Sequence, residues 1–65
     1  MQLIVNGEVK ELEARTIEDV ILYFGLERRP VVVEAEGEIV AKEQWPDTQV
    51  RPRMKIELVH FVGGG

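Results

Sequence analysis

The sequence predicts a small α+β domain in which a few strands wrap around one short helix. Three observations carry that reading. Short runs of alternating apolar residues recur near the start, in the middle and at the end: MQLIVNGEVKEL, VVVEAEGEIV and MKIELVHFV. One stretch, TIEDVILYFGL, switches to helical spacing. At 65 residues the chain has room for one domain. A domain of that size buries only about 60% of the surface its unfolded chain exposes, so its core is thin.

The elements follow in the order β-β-α-β-β-β. Asn6-Gly7 separates the first two alternating runs and signals a hairpin, because both residues tolerate positive φ. Thr16 suits the N-cap of the helix, with Glu18 and Asp19 in the first turn where the helix dipole favours acids. Ile17, Val20, Ile21 and Phe24 share one face, and Gly25 supplies the stop. That leaves about two turns, too few to persist without packing. After Pro30 comes the second hairpin, turning at Glu36-Gly37. The segment AKEQWPDTQVRPR, with two prolines, reads as an irregular crossover with one 3₁₀ turn around Glu43 to Trp45. Trp45 is expected to plug a satellite cluster beneath it, since large aromatics in small domains usually serve burial.

Alternation assigns the strand faces. Leu3, Val5, Val31, Val33, Ala35, Ile56 and Leu58 are expected to face the helix. Gln2, Ile4, Val32, Glu34, Lys55, Glu57, Val59 and Phe61 fall on the reverse face. Burying a Val or Phe there against a partner would contribute roughly 1.5–3 kcal/mol each. Val59, Phe61 and the following Val62 are candidate docking residues. Ile4 and Val32 are candidates too, with ordinary surface exposure as the equal alternative.

Composition narrows the function. Twelve Asp and Glu against eight Lys and Arg give a net charge of −4, which argues against nucleic acid as the partner and favours a basic docking face. Arg28, Arg29, Arg51 and Arg53 read as solvated turn residues. No apolar run is long enough to span a membrane and no leader pattern opens the chain, so a cytoplasmic protein is expected. There is no Cys and no Ser, and His60 is the one histidine. Thiol and serine nucleophiles are therefore excluded, and a lone His in a terminal strand lacks the partners that catalysis needs. No phosphate-cradling glycine motif appears, and no metal cluster is visible.

What remains reactive is the end, HFVGGG. Residues 1–61 are expected to form the domain and residues 62–65 a flexible glycine tail. Fully extended, that tail reaches about 13–14 Å beyond the last strand. It could carry the Gly65 carboxylate into a neighbouring protein's active site, with no Cβ on Gly63 or Gly64 to obstruct a narrow channel.

Three features together resemble the ThiS family of thiamine-biosynthesis sulfur carriers: the element order with its NG hairpin, the run Gly37-Glu38-Ile39-Val40 through Gln44-Trp45, and the apolar strand ending in Gly63-Gly64-Gly65. The likeness covers essentially the whole chain. It implies a ubiquitin-like β-grasp fold, a five-stranded mixed sheet with the first and last strands central and the helix across one face. It also implies the chemistry. A ThiF-type adenylyltransferase would use Mg-ATP to activate the Gly65 carboxylate. Persulfide sulfur, drawn from cysteine by a desulfurase, would then leave a C-terminal thiocarboxylate that a ThiG-type thiazole synthase consumes. The protein itself would bind no cofactor. On that resemblance Gly65 is the sulfur acceptor and Gly63 and Gly64 the access track.

Two departures stand out. Glu36 occupies a turn position where the family pattern often has Asn, and Arg51-Pro52-Arg53-Met54 replaces its Asp-Gly-Asp turn. The first is expected to alter only the hairpin turn, the second the partner-facing surface or the register of the last strand. Three other readings stay open: a MoaD-like small subunit of molybdopterin synthase, a ubiquitin-like protein modifier, and a structural domain with a glycine linker.

Overall fold

The computed structural model describes residues 1–60. Strands β1 (Gln2–Val5) and β2 (Glu8–Glu11) form the first hairpin, followed by helix α1 (Ile17–Tyr23). Strands β3 (Val31–Ala35) and β4 (Glu38–Val40) form the second hairpin, and β5 (Lys55–His60) closes the sheet. A six-residue 3₁₀ segment, Lys42–Asp47, crosses between β4 and β5. The sheet order is β2-β1-β5-β3-β4. Strand β5 lies in the centre, parallel to β1 and antiparallel to β3. This is the expected five-stranded mixed sheet with one short helix.

Each end of the helix is set by its own residues. The Thr16 hydroxyl accepts from the Asp19 backbone N–H at 3.2 Å, while Asp19 Oδ2 accepts from the backbone N–H groups of Arg15 and Thr16 at 2.9 and 3.2 Å. This reciprocal box satisfies donors that a helix start otherwise leaves open. At the far end Gly25, at φ +70°, lets Leu26 N–H reach the Ile21 carbonyl and Gly25 N–H reach that of Leu22. The Arg15 and Thr16 amides, in that order, hold the Asp19 carboxyl below its ordinary value, against a smaller opposing effect of desolvation. Protonation therefore weakens the folded state. The contribution of Asp19 is complete above its unfolded value of 3.8 and is lost as the pH falls through the lower folded value. Asp19→Asn is expected to flatten the acid limb of a stability-versus-pH curve, measured by urea unfolding across that range.

The core fills the space between the sheet and the helix. Leu3, Ile17, Ile21, Ile56, Val20 and Val33 are essentially sealed from solvent. The inward sets of β1, β3 and β5 match the alternation, with Val31 only half-buried at the margin. Two expectations need correction. The 3₁₀ segment is longer than one turn, since Pro46 lies inside it and the Thr48 hydroxyl bonds back to the Gln44 carbonyl at 2.8 Å. Trp45 does not form a satellite cluster. It is buried in the main core, and its indole N–H donates to the Val40 carbonyl at 3.2 Å, which lets a polar-tipped ring fit the interior.

The two departures from the family pattern both fall in turns beside the start of β5. Glu36 takes φ +52° beside Gly37 at +86°, the paired positive angles of a type I′ hairpin turn. Its N–H donates to the Lys55 carbonyl at 2.9 Å, and its Oε2 accepts from Lys55 N–H at 2.8 Å. The glutamate thus continues the β3·β5 ladder with its side chain. In the second turn Met54 N–H bonds the Arg51 carbonyl at 3.0 Å, with Pro52 preset at the first central position. Arg53 then adopts φ +66°, and its N–H donates to the Gln2 carbonyl at 2.6 Å. A left-handed residue with a Cβ is disfavoured there, and glycine is the usual occupant. Arg53→Gly is expected to stabilise the domain by about 0.5–1 kcal/mol net of the glycine's extra unfolded entropy, read as a higher urea midpoint.

Candidate functional site

Gly63, Gly64 and Gly65, with Phe61 and Val62, lie outside the described residues, as does the expected boundary between residues 61 and 62. The structure does describe the strand that leads to them. The β3·β5 ladder runs out to Val31 opposite His60, so β3 supports β5 to its last residue. On the other flank the β1·β5 pairing covers only Ile4 opposite Lys55 and Val5 opposite Ile56. Asn6 continues the support beyond them. Its backbone N–H donates to the Ile56 carbonyl at 2.9 Å. Its side-chain Oδ1 accepts from Leu58 N–H at 2.8 Å, and Nδ2 donates to the Leu58 carbonyl at 3.2 Å. One amide side chain thereby imitates a strand residue and clamps the end of β5. The turn angle of Asn6, φ +51°, aims the side chain there.

The outward face of the sheet holds the remaining candidates. Val59 stands directly opposite Val32, and both are exposed, at 54% and 43%. Ile4 shares the face, but the register places it level with Lys55, about 13 Å along β5 from Val59. It is half-buried and packs opposite Val9 on β2. The face therefore carries two apolar groups, Val32–Val59 and Ile4–Val9. Glu57 and Glu34 stand directly opposite one another on β5 and β3 between them. Ile39 on β4, 64% exposed, pairs with Glu34 from the other side. Val9 and Ile39 were not among the residues read from the sequence as docking candidates. The signal was available in the alternation of EVKE and EIV, but strands that short give little pattern to extrapolate.

The described residues hold no catalytic constellation. His60 is exposed at the end of β5. No group of three or more His, Cys, Asp or Glu side chains is placed to hold a metal ion among the described residues. A shallow groove of about 300 Å³ between the second hairpin and the 3₁₀ crossover is lined by Glu36, Glu38, Gln44, Gln49 and Arg51 among others, without a nucleophile–base pair. Arg28, Arg29, Arg51 and Arg53 are all exposed in turns and loops, as expected. Among the described residues no helix is long and apolar enough to cross a membrane.

Comparison with known proteins gives one consistent picture. The ThiS family model matches residues 3–65. The sulfur carrier protein ThiS of Bacillus subtilis is 44% identical over 63 residues, covering 94% of this chain and 96% of that protein. A thiazole synthase of Paramagnetospirillum magneticum is 38% identical over 66 residues, covering all of this chain but only 20% of that protein. Among solved structures, the thiamine biosynthesis protein ThiS of Geobacter metallireducens superposes over the full length of both chains with a TM-score of 0.79 and 28% identity.

Proposed function

The chain belongs to the ThiS family, and we propose that its working group is the main-chain carboxylate of Gly65. It is a sulfur carrier of thiamine biosynthesis, a substrate for other enzymes and not itself one. One observation carries the assignment of the working group: the family match runs through Gly63-Gly64-Gly65.

A carboxylate is a poor electrophile, so the first step is activation. A ThiF-type adenylyltransferase holding Mg-ATP lets a Gly65 carboxylate oxygen attack the α-phosphorus, expelling pyrophosphate and leaving an acyl-adenylate. The terminal sulfur of a persulfide, charged by a cysteine desulfurase, then attacks the Gly65 carbonyl carbon and AMP departs. A thiol cleaves the resulting S–S bond and releases the thiocarboxylate. Gly63 and Gly64 form the access track for this chemistry. The likeness to a stretch of thiazole synthases supports a ThiG-type enzyme as the consumer of the sulfur.

Docking falls to the outward sheet face. Val32 and Val59 form its apolar group nearest the C-terminal end of β5, with Phe61 and Val62 following in sequence and Ile4 further along. The chain's likeness to a ThiS sulfur carrier, to thiazole synthases and to a thiamine biosynthesis protein supports this reading over a molybdopterin-synthase subunit or a protein modifier. The cytoplasm, where the cosubstrate ATP is supplied, is the proposed location. The test is ATP–pyrophosphate exchange by the adenylyltransferase of the same organism. Exchange that depends on this chain supports the reading, and exchange that ignores it refutes it.

A further inference from the structure

We propose that the outward sheet face receives a cationic side chain of the activating enzyme between Glu34 and Glu57, beside the apolar residues Val32, Val59 and Ile39. The inference rests on the carrier reading and deepens it by naming the chemistry of the docked surface.

The central observation is a cross-strand pair of like charge. Glu34 and Glu57 are direct partners in the β3·β5 register, which sets their Cβ atoms about 4.5–5.5 Å apart on the same face. Like charges placed directly opposite one another destabilise a sheet. The ion pairs among the described residues are Lys10 with Glu8 at 3.2 Å and the Met1 amino group with Glu11 at 3.0 Å, so neither Glu34 nor Glu57 takes part in one. Lys55 shares their face two residues along β5 but makes no ion pair with either. Glu34 is only half-exposed and stands opposite Ile39 of β4. The folded domain thus sets two carboxylates, neither of them in an ion pair, opposite one another near the middle of its sheet.

The surroundings specify what fits. Val32 and Val59 lie one pleat away from the pair on one side, Ile39 lies beside Glu34, and Ile4 and Val9 stand farther off, level with Lys55. An arginine or lysine projecting from an apolar surface would neutralise both carboxylates while its neighbours cover the valines. A guanidinium suits the geometry best, since its planar fork can serve two carboxylates at once. The overall charge of −4 would steer the same approach at longer range.

The pair should then work in opposite directions in the free and the bound protein. Glu57→Gln is expected to melt about 1–5 °C higher than the wild type, because a repulsion is removed. The same variant is expected to raise the KM for this chain in ATP–pyrophosphate exchange about tenfold at unchanged kcat. Glu57→Lys, which pairs with Glu34 within the chain, should stabilise further and bind more weakly still. Glu27→Gln, exposed in the loop after the helix, controls for net charge alone. If Glu57→Gln and Glu34→Gln shift KM no more than Glu27→Gln does, while the wild type is adenylated, the proposed cation contact is wrong and the carrier reading stands. If the wild type is not adenylated at all, the carrier reading fails and this inference falls with it.

Discussion

Gly64→Val is expected to leave the thermal unfolding of the domain unchanged and to reduce its adenylation by roughly a hundredfold or more. The first half follows from the location of the core. Among the described residues the core runs from Leu3 to Leu58 and is closed by the sheet, the helix and the crossover, and a change six residues beyond it leaves those side chains in place. The second half follows from what adenylation requires. On the proposed chemistry the Gly65 carboxylate must approach the α-phosphorus of ATP in line, and an approach displaced by even about 1 Å loses about a hundredfold in rate. A β-branched residue next to the reacting glycine narrows the backbone conformations available and adds bulk where the enzyme must close around the chain. Gly64→Ala, with one carbon added, should fall between valine and the wild type. Pyrophosphate exchange and circular dichroism on the same samples read both halves. Normal exchange by the valine variant would mean that the glycine track has no part in access.

The second large effect concerns stability. Asn6→Ala is expected to destabilise the domain by about 2–3 kcal/mol, which is a large share of the roughly 3–10 kcal/mol expected for a domain of this length. Two hydrogen bonds to Leu58 disappear at once, the 2.8 Å bond from its N–H and the 3.2 Å bond to its carbonyl. Each contributes about 0.5–1.5 kcal/mol, and the strand groups left behind are partly shielded from water. Alanine at φ +51° adds the strain of a left-handed residue that asparagine tolerates better. The melting temperature should drop by roughly 10–20 °C. Asn6→Gly separates the two causes, because it removes the clamp but accepts the backbone angle. It should recover about 1 kcal/mol of the loss and no more. An alanine variant as stable as the wild type would show that the side-chain clamp contributes nothing.

That clamp also marks the limit of what the sequence makes legible. Asn6-Gly7 announces a hairpin because turn chemistry is local, and Thr16 with Asp19 announces a helix start for the same reason. The bonds from Asn6 to Leu58 span 52 residues of sequence, and no local pattern encodes them. The pairing of β1 with β5 is equally non-local, and the central place of the two strands came from the family resemblance rather than from periodicity. Trp45 was correctly read as buried but assigned to the wrong neighbourhood, because a proline-rich crossover gives no indication of how far it folds inward. Alternation placed Ile4, Val32 and Val59 on one face, yet only the register shows that Ile4 stands apart from the two valines. The opposition of Glu34 and Glu57 is invisible until β3 and β5 are aligned residue by residue. The departures at Glu36 and Arg53 likewise look like simple exchanges in the sequence. In the fold both take positive φ, and both hydrogen-bond across to neighbouring strands, Glu36 to β5 and Arg53 to β1.

The most direct test of the account is the intact mass of the protein after incubation with its adenylyltransferase, Mg-ATP, a cysteine desulfurase with cysteine, and a reducing thiol. Fragmentation should follow to locate any change. The account predicts a product heavier by the difference between one sulfur and one oxygen atom, with the added sulfur confined to Gly65. An unchanged mass, or sulfur located anywhere other than that terminal carboxyl, would contradict it.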